Sequence, residues 1–596
     1  MSTWRQQPAL IPEEQIQFRH EADVVVVGLA HAGSAAVRAA AEAGAKVIGI
    51  EEKKEKTYSV WGADVGHINS KFLESRGIPK VDPIDYYNEI QRRAMGRANP
   101  GLMMRFAQNA GRNFDWYTDM VEDWSGVSTA MWPGGKKFDG EMAGFKFWPG
   151  TAKFGMPGGR NPFRDAPHAK KGPGGPGGPG GPSAPGGPGG KPDIPGGIPD
   201  KEEELPPQPG QGMSAKELVE DVKIHPSLLG LCRANQQKAI DLGGEMYFGM
   251  AAENILKENG RVTGILARDV ATGEYHLFTA KKSVVLAAGG FAGNKEMLED
   301  LLPDFKGLFC EGEEWPRSMG RKGMAIKLGV WAGGKLENGP IATMGGNFNL
   351  PRGFNCTMGQ LWLDPRGKRF CNELFGGPEF AGMQGQQMKH GTYYNIFDSN
   401  IAEDLEWAVP AHESFDFGDR TGQGGMEGGY LHMLTEVMEE AKAAGKGGTV
   451  GRAPNGPVRI VCGSNMEELL DNAELTGEVR ENVKASIERY NEVCRAGRDD
   501  DFGKDAKLLR PLDQWPLYIQ FNEFNYVGRI MCTCGGLLTD ENQNVLDDSY
   551  DPIPGLFATG NCCGRRFGPQ YSTPTSGISI GVCITLGREA GIEAAK

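Results

Sequence analysis

The chain has 596 residues, more than one hydrophobic core normally organises, so two or more domains are expected. A hydrophobic fraction of 39% and 11 tryptophans are typical of a globular protein and exclude a largely disordered one. The formal net charge is −13 and no basic stripe runs along the chain, which argues against a nucleic-acid partner.

The amino-terminal segment MSTWRQQPALIPEEQ lacks the basic and then apolar pattern of a secretory signal. The chain contains no run of about 18 uncharged apolar residues, so no membrane span is expected. Its 11 cysteines are too sparse for a disulfide scaffold and indicate reduced thiols. These features together predict a cytoplasmic protein.

The first regular elements form a strand–helix–strand unit. The run ADVVVVG, which ends at Gly28, is typical of a buried parallel strand. A helix rich in small residues should follow and end near Gly44. KVIGIEE then gives a second buried strand, which completes a βαβ unit.

The turn inside this unit has the spacing of a dinucleotide-binding loop. Glycines let the backbone approach a pyrophosphate at the amino end of a helix. The turn reads GLAHAG, so alanine replaces the middle glycine of the GxGxxG pattern. The second strand ends in acidic residues, where a carboxylate would bind ribose hydroxyls. The predicted nucleotide contacts are Gly28, Ala30, Ala32, Gly33, Glu51 and Glu52.

A helical stretch is predicted from about Pro83 to Asp123, and a low-complexity segment follows it. Residues 132–212 are rich in Gly and Pro, with GPGGPGGPGGPSAPGGPGG between Gly172 and Gly190. Such a tract buries little apolar surface, so we predict a flexible, solvated insertion. A functional lid is the alternative, because long loops often carry function.

The second half of the chain mixes helices, short strands and turns. Helices are predicted at Ala215–Val222, Gly230–Leu242, Gly429–Ala444 and Thr476–Ala496. Antiparallel strands precede the buried run SVVLAAGG, and the tail returns to a strand, a glycine turn and a helix in GLFATGN and SGISIG. The close pairs Cys532/Cys534 and Cys562/Cys563 lack the two-residue spacer of a zinc or iron–sulfur knuckle. We therefore predict packed thiols near a cofactor and no metal.

Several of these segments together resemble one flavoprotein family. They are VVVVGLAHAG, KVIGIEE, VLAAGGFAGNKEML, GKRFCNE, TCGGLLTDENQNVLD, IPGLFATGN and SGISIG. The chain is similar in them to the fumarate reductase/succinate dehydrogenase flavoprotein superfamily, which also contains 3-ketosteroid dehydrogenases and urocanate reductase. The resemblance implies an α/β fold, in which a two-dinucleotide-fold, Rossmann-like FAD-binding domain carries an inserted α+β capping domain.

The resemblance also implies a domain division and a set of cofactor contacts. The FAD-binding domain would comprise residues 1–131, 213–303 and 512–596, with the insertion at 132–212 and the capping domain at 304–511. FAD would be bound non-covalently, since the segment that carries a histidyl link in membrane-bound relatives has no match near His67. The further FAD contacts implied are Ala251, Ala288, Gly289, Gly290, Asn294, Gly560, Asn561, Ser576, Gly577 and Ile578.

The positions that bind a dicarboxylate in fumarate reductases carry other residues here. Gly377 replaces the proton-donating arginine, Cys532 the carboxylate-binding histidine, and Tyr571 the late arginine. Each lost charge-assisted hydrogen bond is worth about 1.5–3 kcal/mol, so a dicarboxylate substrate is not expected. A tyrosine at the late position resembles the ketosteroid dehydrogenases and implies a neutral, aromatic pocket.

The leading hypothesis is hydride transfer between flavin N5 and a neutral cyclic, phenolic or enone substrate. Tyr571 would polarise a substrate oxygen, with Tyr526 as a second candidate, and a packed aromatic over the flavin is the alternative for Tyr571. The electron donor would be NAD(P)H or a redox protein. Three alternatives stay open: a tetrahydrodaidzein reductase, an electron-transfer flavoprotein subunit that works with a partner, and a reductase of a small unsaturated acid.

Overall fold

The computed structural model describes the greater part of the chain. The residues described are 3–60, 62–129, 141–142, 145–155, 157, 213–302, 321–344, 360–373, 392–404, 429–446, 449–453, 456–523, 532–569 and 571–596. Most of the predicted insertion, together with Gly377 and Tyr526, lies outside these residues.

The secondary structure mixes helices and strands along the whole described chain. The helices are α1 (His31–Glu42), α2 (Lys71–Ser75), α3 (Pro83–Arg93), α4 (Pro100–Tyr117), α5 (Ala215–Asp221), α6 (Leu228–Asp241), α7 (Lys295–Leu301), α8 (Met324–Trp331), α9 (Ile401–Asp404), α10 (Gly429–Ala444), α11 (Met466–Asn472), α12 (Gly477–Ala496) and α13 (Ile578–Ala594). The strands are β1 (Ile16–Val27), β2 (Val47–Glu51), β3 (Asp64–Gly66), β4 (Glu141–Met142), β5 (Phe145–Lys146), β6 (Thr151–Lys153), β7 (Glu245–Phe248), β8 (Met250–Glu258), β9 (Arg261–Asp269), β10 (Tyr275–Leu286), β11 (Thr343–Met344), β12 (Leu361–Leu363), β13 (Thr392–Asp398), β14 (Thr449–Ala453), β15 (Gly456–Gly463), β16 (Leu517–Glu523), β17 (Cys532–Thr533), β18 (Asn544–Leu546) and β19 (Pro552–Ala558).

The larger sheet has the strand order β18-β19-β10-β1-β2-β7. Strands β19, β10, β1, β2 and β7 run parallel, while β8 and β9 extend β10 as an antiparallel ribbon. The four valines that end β1 are buried, as a parallel strand covered on both faces requires. This is the α/β, Rossmann-like arrangement that the sequence predicts.

Helices α1 and α13 pack against each other beside this sheet at unusually short range. A Cβ atom at Gly587 would collide with the carbonyl oxygen of Ala32, and one at Gly591 with that of Ala36. Glycines one helical turn apart therefore let the two backbones touch. The contact joins the first helix of the chain to the last, so both chain ends build one domain.

A second, antiparallel sheet has the order β12-β13-β16-β15-β14. Helix α11 packs against β15 and α12 against β12. The sheet and helices share a separate apolar core that includes Leu361, Ile396, Val461 and Ile487. Strand β16 belongs to this sheet because it pairs with β13 and β15, although it lies after residue 511, the end predicted for the capping domain.

The beginning of the predicted insertion is part of the ordered fold. Strand β6 pairs with β3, and Ala152 and Phe154 are buried in a core next to α4. The prediction of a flexible segment from residue 132 is therefore wrong for residues 151–154. Because the whole segment is rich in glycine and proline, the sequence did not indicate that these apolar residues belong to a core. The tract from Gly172 to Gly190 lies outside the described residues.

Candidate active site at the carboxyl edge of the sheet

Three glycine-containing turns meet at one edge of the larger sheet. The ends of the neighbouring parallel strands β1, β10 and β19 are in register, with Val27 opposite Leu286 and Leu286 opposite Ala558. In open α/β sheets, ligands bind beyond the carboxyl ends of such strands. The turns that follow these three strands are therefore the walls of the candidate site.

The first turn leaves no space for side chains at its two glycines. Gly28 has a φ of +94° and its N–H donates to the Ile50 carbonyl at 2.8 Å. A Cβ there would lie 2.6 Å from the Ala288 Cα, and a Cβ at Gly33 would collide with the Gly28 carbonyl oxygen. Ala30 is the residue before α1, with a φ of −72° that tolerates a side chain. The turn therefore tolerates alanine in place of the middle glycine.

Glu51 lies buried at the base of this turn. Its carboxylate accepts the N–H of Leu29 at 3.0 Å and that of Lys53 at 3.2 Å. This is the place where a ribose-binding carboxylate is predicted. Glu52 is exposed, and Ala251 lies in β8, which packs against β2.

The second turn follows β10 and is tied to β17. Gly289 has a φ of +80°, and a Cβ at Gly290 would collide with the Thr533 hydroxyl. The same hydroxyl accepts the Phe291 N–H at 2.8 Å. Asn294 caps α7, because its side chain accepts the N–H of the third helical residue at 3.1 Å. Because Asn294 caps the helix, its amide oxygen is already hydrogen-bonded within the protein.

The third turn follows β19 and contacts the first. A Cβ at Gly560 would lie 2.9 Å from the Ala32 Cβ. Asn561 directs its amide oxygen towards Arg566, whose Nη2 donates at 2.8 Å, and towards Ser579, whose Oγ lies at 3.4 Å. The predicted contacts Ala32, Gly560 and Asn561 are therefore adjacent in space.

The amino end of α13 faces the same edge. Its preceding residue, Gly577, has a φ of +75° and its carbonyl accepts the Gly66 N–H at 2.8 Å. The Ser576 carbonyl accepts the Thr151 hydroxyl at 2.8 Å. These bonds fix the loop that leads into Ile578. The free N–H groups of a helix amino end favour an anionic or electron-rich ligand.

These residues fit an FAD molecule. The turn at Gly28 and Gly33 is a cradle that a Cβ would fill, it opens α1, and it adjoins a buried carboxylate. His67 is engaged elsewhere: Nδ1 lies 3.0 Å from the Val65 carbonyl and Nε2 2.7 Å from the Ser70 hydroxyl. Burial lowers the pKa of His67 to about 3. Neither nitrogen is available for a flavin bond in this arrangement.

Tyr571 lies buried beside the amino end of α13. Its hydroxyl oxygen accepts the Ser579 N–H at 2.9 Å, and its ring meets that of Phe567 edge-on at 4.9 Å. The structure therefore brings Tyr571 to the same edge as Asn561. Tyr526, the second candidate proton donor, lies outside the described residues.

A buried cation, Arg566, is a feature that sequence reasoning missed. Its guanidinium donates to the Cys563 carbonyl at 3.0 Å and to Asn561 at 2.8 Å, and its Nη1 lies 3.8 Å from the Cys583 sulfur. The side chain is fully buried, so it is part of the wall of the site and does not line its surface. The Arg–Arg pair in NCCGRRFG was the available signal, but the pattern does not reveal burial.

Glu337 is the second missed group. Its Oε1 accepts the Gly536 N–H at 2.8 Å and its Oε2 accepts the Arg565 N–H at 2.9 Å. Burial raises the pKa of this carboxyl to about 7. Perturbed carboxyl groups of this kind concentrate at functional sites. The local sequence LENGP gives no motif that would have indicated it.

The segment GKRFCNE is held in place by buried ion pairs. Arg369 bonds to Glu373 at 2.8 Å and to Asp499 at 2.8 Å, and Lys504 lies 3.4 Å from Glu373. The network connects the segment to the chain just after α12. The charged side chains of the segment are therefore ion-paired within the protein. In the part of the chain described here, no group of three or more His, Cys, Asp or Glu side chains is arranged to hold a metal ion.

A family model described as an FAD binding domain matches residues 23–578. Vinyl phenol reductase from Lactiplantibacillus plantarum is 27% identical over 380 residues, which cover 61% of this chain and 70% of that protein. The 4-oxocyclohexanecarboxylate 2-dehydrogenase from Sinomonas cyclohexanicum is 26% identical over 395 residues, with 61% of this chain and 58% of that protein covered. The chain thus spans somewhat over half of this second relative.

Among solved structures, the 3-ketosteroid-Δ4-(5α)-dehydrogenase from Rhodococcus jostii shares the fold. The TM-score is 0.61 at 20% identity, with 97% of this chain and 98% of that chain covered. No helix in the described ranges has the length and apolar character needed to cross a membrane. The chain belongs to the FAD binding domain family and is an FAD-dependent oxidoreductase, with relatives that include a fumarate reductase and a 3-oxosteroid 1-dehydrogenase.

Proposed function

We propose that this flavoprotein transfers a hydride between its flavin and a carbon atom of a neutral cyclic, phenolic or enone substrate. Tyr571 would hold the proton that the substrate gains or loses. The bond from the Ser579 N–H to the Tyr571 oxygen, at 2.9 Å, is the observation that carries the proposal.

That bond suits a tyrosine that gives up its proton. A backbone N–H that donates to the phenol oxygen stabilises the negative charge left on it, and the adjacent amino end of α13 acts in the same direction. The edge-on contact with Phe567 fixes the ring, so the hydroxyl has a defined direction. A positioned phenol can polarise a carbonyl or supply a proton to it.

The chemistry of the site wall supports a neutral substrate. Cys532, at the place of the carboxylate-binding histidine, is a partly exposed thiol, and Tyr571 replaces a cation. Arg566 is fully buried and already bonded, so a substrate carboxylate would not meet it. Two relatives, vinyl phenol reductase and 3-oxosteroid 1-dehydrogenase, are named for neutral ring compounds, whereas 4-oxocyclohexanecarboxylate 2-dehydrogenase is named for a ring that carries a carboxylate.

FAD would supply the hydride chemistry when bound. Its contacts would come from the three turns and from the amino end of α13. NAD(P)H or a redox protein would be the electron donor, and attachment would be non-covalent. The residues proposed to hold FAD are Gly28, Ala30, Ala32, Gly33, Glu51, Glu52, Ala251, Ala288, Gly289, Gly290, Asn294, Gly560, Asn561, Ser576, Gly577 and Ile578.

Tyr571→Phe tests the role of the hydroxyl, because it keeps the ring and removes the oxygen alone. Reduction of 4-vinylphenol or of a cyclic enone by the dithionite-reduced protein should slow about 100-fold or more, the range of general acid–base catalysis. Flavin content and flavin reduction by dithionite should stay at the wild-type level. Stopped-flow absorbance of the flavin measures both steps separately.

Tyr518→Phe is the matched control, since it removes a buried hydroxyl from β16 in the second sheet. Its turnover should equal that of the wild type. A Tyr571→Phe protein with normal turnover would make Tyr571 a packing residue and overturn the proposal. Repeating the assay with NADH in place of dithionite distinguishes a self-sufficient reductase from a subunit that takes its electrons from a partner.

A further inference from the structure

Two thiols lie in contact beside the second and third turns. Cys532 and Cys534 are separated by one residue of extended chain, so their side chains lie on the same face. Their sulfur atoms are 3.6 Å apart. Both are free thiols, Cys534 is buried and Cys532 is partly exposed. A small oxidant can therefore approach this pair from the Cys532 side.

The surroundings make the two sulfurs unequal. The hydrogen bond between them lowers the pKa of Cys534, and the charge of Arg566 lowers it further against the effect of burial. The same hydrogen bond, together with burial, raises the pKa of Cys532. A thiol with a lowered pKa beside a thiol with a raised pKa is the pairing found in reactive dithiols, in which one sulfur attacks and the other resolves.

We propose that Cys532 and Cys534 form a redox-active dithiol that a hydroperoxide converts to a disulfide. The Cys534 thiolate attacks one peroxide oxygen, the O–O bond breaks, and the departing oxygen takes a proton and leaves as water or an alcohol. The resulting sulfenic acid is attacked by the Cys532 sulfur. Its S–O bond breaks, the S–S bond forms, and a water leaves with the Cys532 proton. The two thiols lose two electrons in total, and the peroxide gains them.

Closure of this bond would act on the second cofactor-binding turn. The sulfur atoms must approach from 3.6 Å to about 2.05 Å, and the residue between them absorbs part of the movement. That residue, Thr533, accepts the Phe291 N–H and packs directly on Gly290. The oxidised pair should therefore change the environment of the flavin whatever the substrate is.

Mass spectrometry of the purified holoprotein tests the bond directly. The protein is treated with hydrogen peroxide, denatured, blocked with N-ethylmaleimide and cleaved before aspartates, which releases residues 513–539 with Cys532 and Cys534 as their cysteines. We expect this fragment to lose two hydrogens and both maleimide adducts, and dithiothreitol to restore them. Two adducts after peroxide, or irreversible sulfonic acids without a disulfide, would overturn the proposal.

Variants separate the pair from its neighbours. Cys532→Ser should leave a sulfenic acid on Cys534 that dimedone traps. Cys583 is a buried thiol beside the same arginine, and in Cys583→Ser the Cys532–Cys534 disulfide should form normally. Arg566→Gln should slow closure several-fold, because it removes a charge that lowers the pKa of Cys534, and Arg566→Lys, which keeps the charge, should retain the rate. Closure at the wild-type rate in Cys532→Ser, through any other cysteine, contradicts the assignment.

Discussion

At the scale of single residues, Glu337 is a buried carboxyl group whose pKa is shifted strongly upwards. Two backbone N–H groups donate to its carboxylate, yet burial dominates and raises its pKa to about 7. Near neutral pH the carboxyl therefore occurs in both protonation states. A group of this kind can take up or release a proton during turnover.

Glu337 should make the stability of the protein depend on pH between its ordinary pKa of 4.5 and about 7. Its folded-state pKa is raised, so its stabilising contribution is complete below the unfolded-state value and is lost as the pH rises through the folded-state value. Glu337→Gln removes this dependence. From pH 4 to pH 8, the unfolding free energy of the wild type should fall by about 3 kcal/mol relative to that of the variant.

Urea unfolding at the two pH values measures this difference, and Glu258→Gln is the control because that carboxyl is exposed. The control should differ from the wild type by the same amount at both pH values. A constant difference for Glu337→Gln would mean that the pKa of Glu337 is the same in the folded and unfolded states, and would contradict the prediction.

Residue types that a turn requires could be predicted from the sequence, whereas buried charges could not. Gly28 and Gly33 stand where the spacing of GLAHAG puts them, because a side chain at either would strike backbone atoms. Glu337 bonds to Gly536 and Arg565, which are far away in sequence, and Arg566, although it bonds to near neighbours, is buried by the packing of the fold around it. No local pattern contains that information. Tyr571 could be found through its resemblance to one branch of the family, but its bond to Ser579 could not.

At the scale of elements, the crossing of α1 and α13 positions the first and third turns. Gly587 allows the contact because its Cα faces the backbone of Ala32, the residue that also touches Gly560. A methyl group there must push the helices apart. The displacement reaches the amino end of α1, where the cofactor turn leads into the helix.

Gly587→Ala should therefore destabilise the protein and weaken FAD retention together. Overpacking of a well-packed contact costs about 1–3 kcal/mol. We expect a lower Tm and a smaller flavin-to-protein absorbance ratio after gel filtration. Gly126→Ala is the matched control, since no atom lies within 4 Å of the added methyl group, and it should change neither quantity. Full FAD occupancy with a normal Tm in Gly587→Ala would show that the helices adjust without cost.

Elements with a strong local period were predictable, and pairings between distant segments were not. Helix α10 has the predicted limits, and α12 begins one residue after the predicted Thr476. By contrast, β16 follows the predicted end of the capping domain in the sequence, yet it pairs with β13 and β15. Sheet membership depends on hydrogen bonds across long sequence separations, which periodicity does not report.

At the scale of the whole molecule, the site depends on segments from both ends and the middle of the chain. The turns after β1, β10 and β19 come together because their strands are neighbours in the larger sheet. Substrate preference is then decided by the side chains that border this shared edge. In this chain, Cys532 and Tyr571 stand at two positions where the resemblance leads one to expect cations, and the buried Arg566 is bonded within the protein.

The reduced protein should consequently discriminate strongly against fumarate. Two missing charge-assisted hydrogen bonds, at about 1.5–3 kcal/mol each, correspond to a rate lower by about 100- to 20,000-fold than in a site that has them. We expect anaerobic stopped-flow experiments to show flavin reoxidation by 4-vinylphenol or a cyclic enone and almost none by fumarate at equal concentration. Dimethyl fumarate, which has the same double bond without the charges, separates charge from reactivity and should react faster than fumarate. Fumarate turnover of about 1–1000 per second would contradict the neutral site.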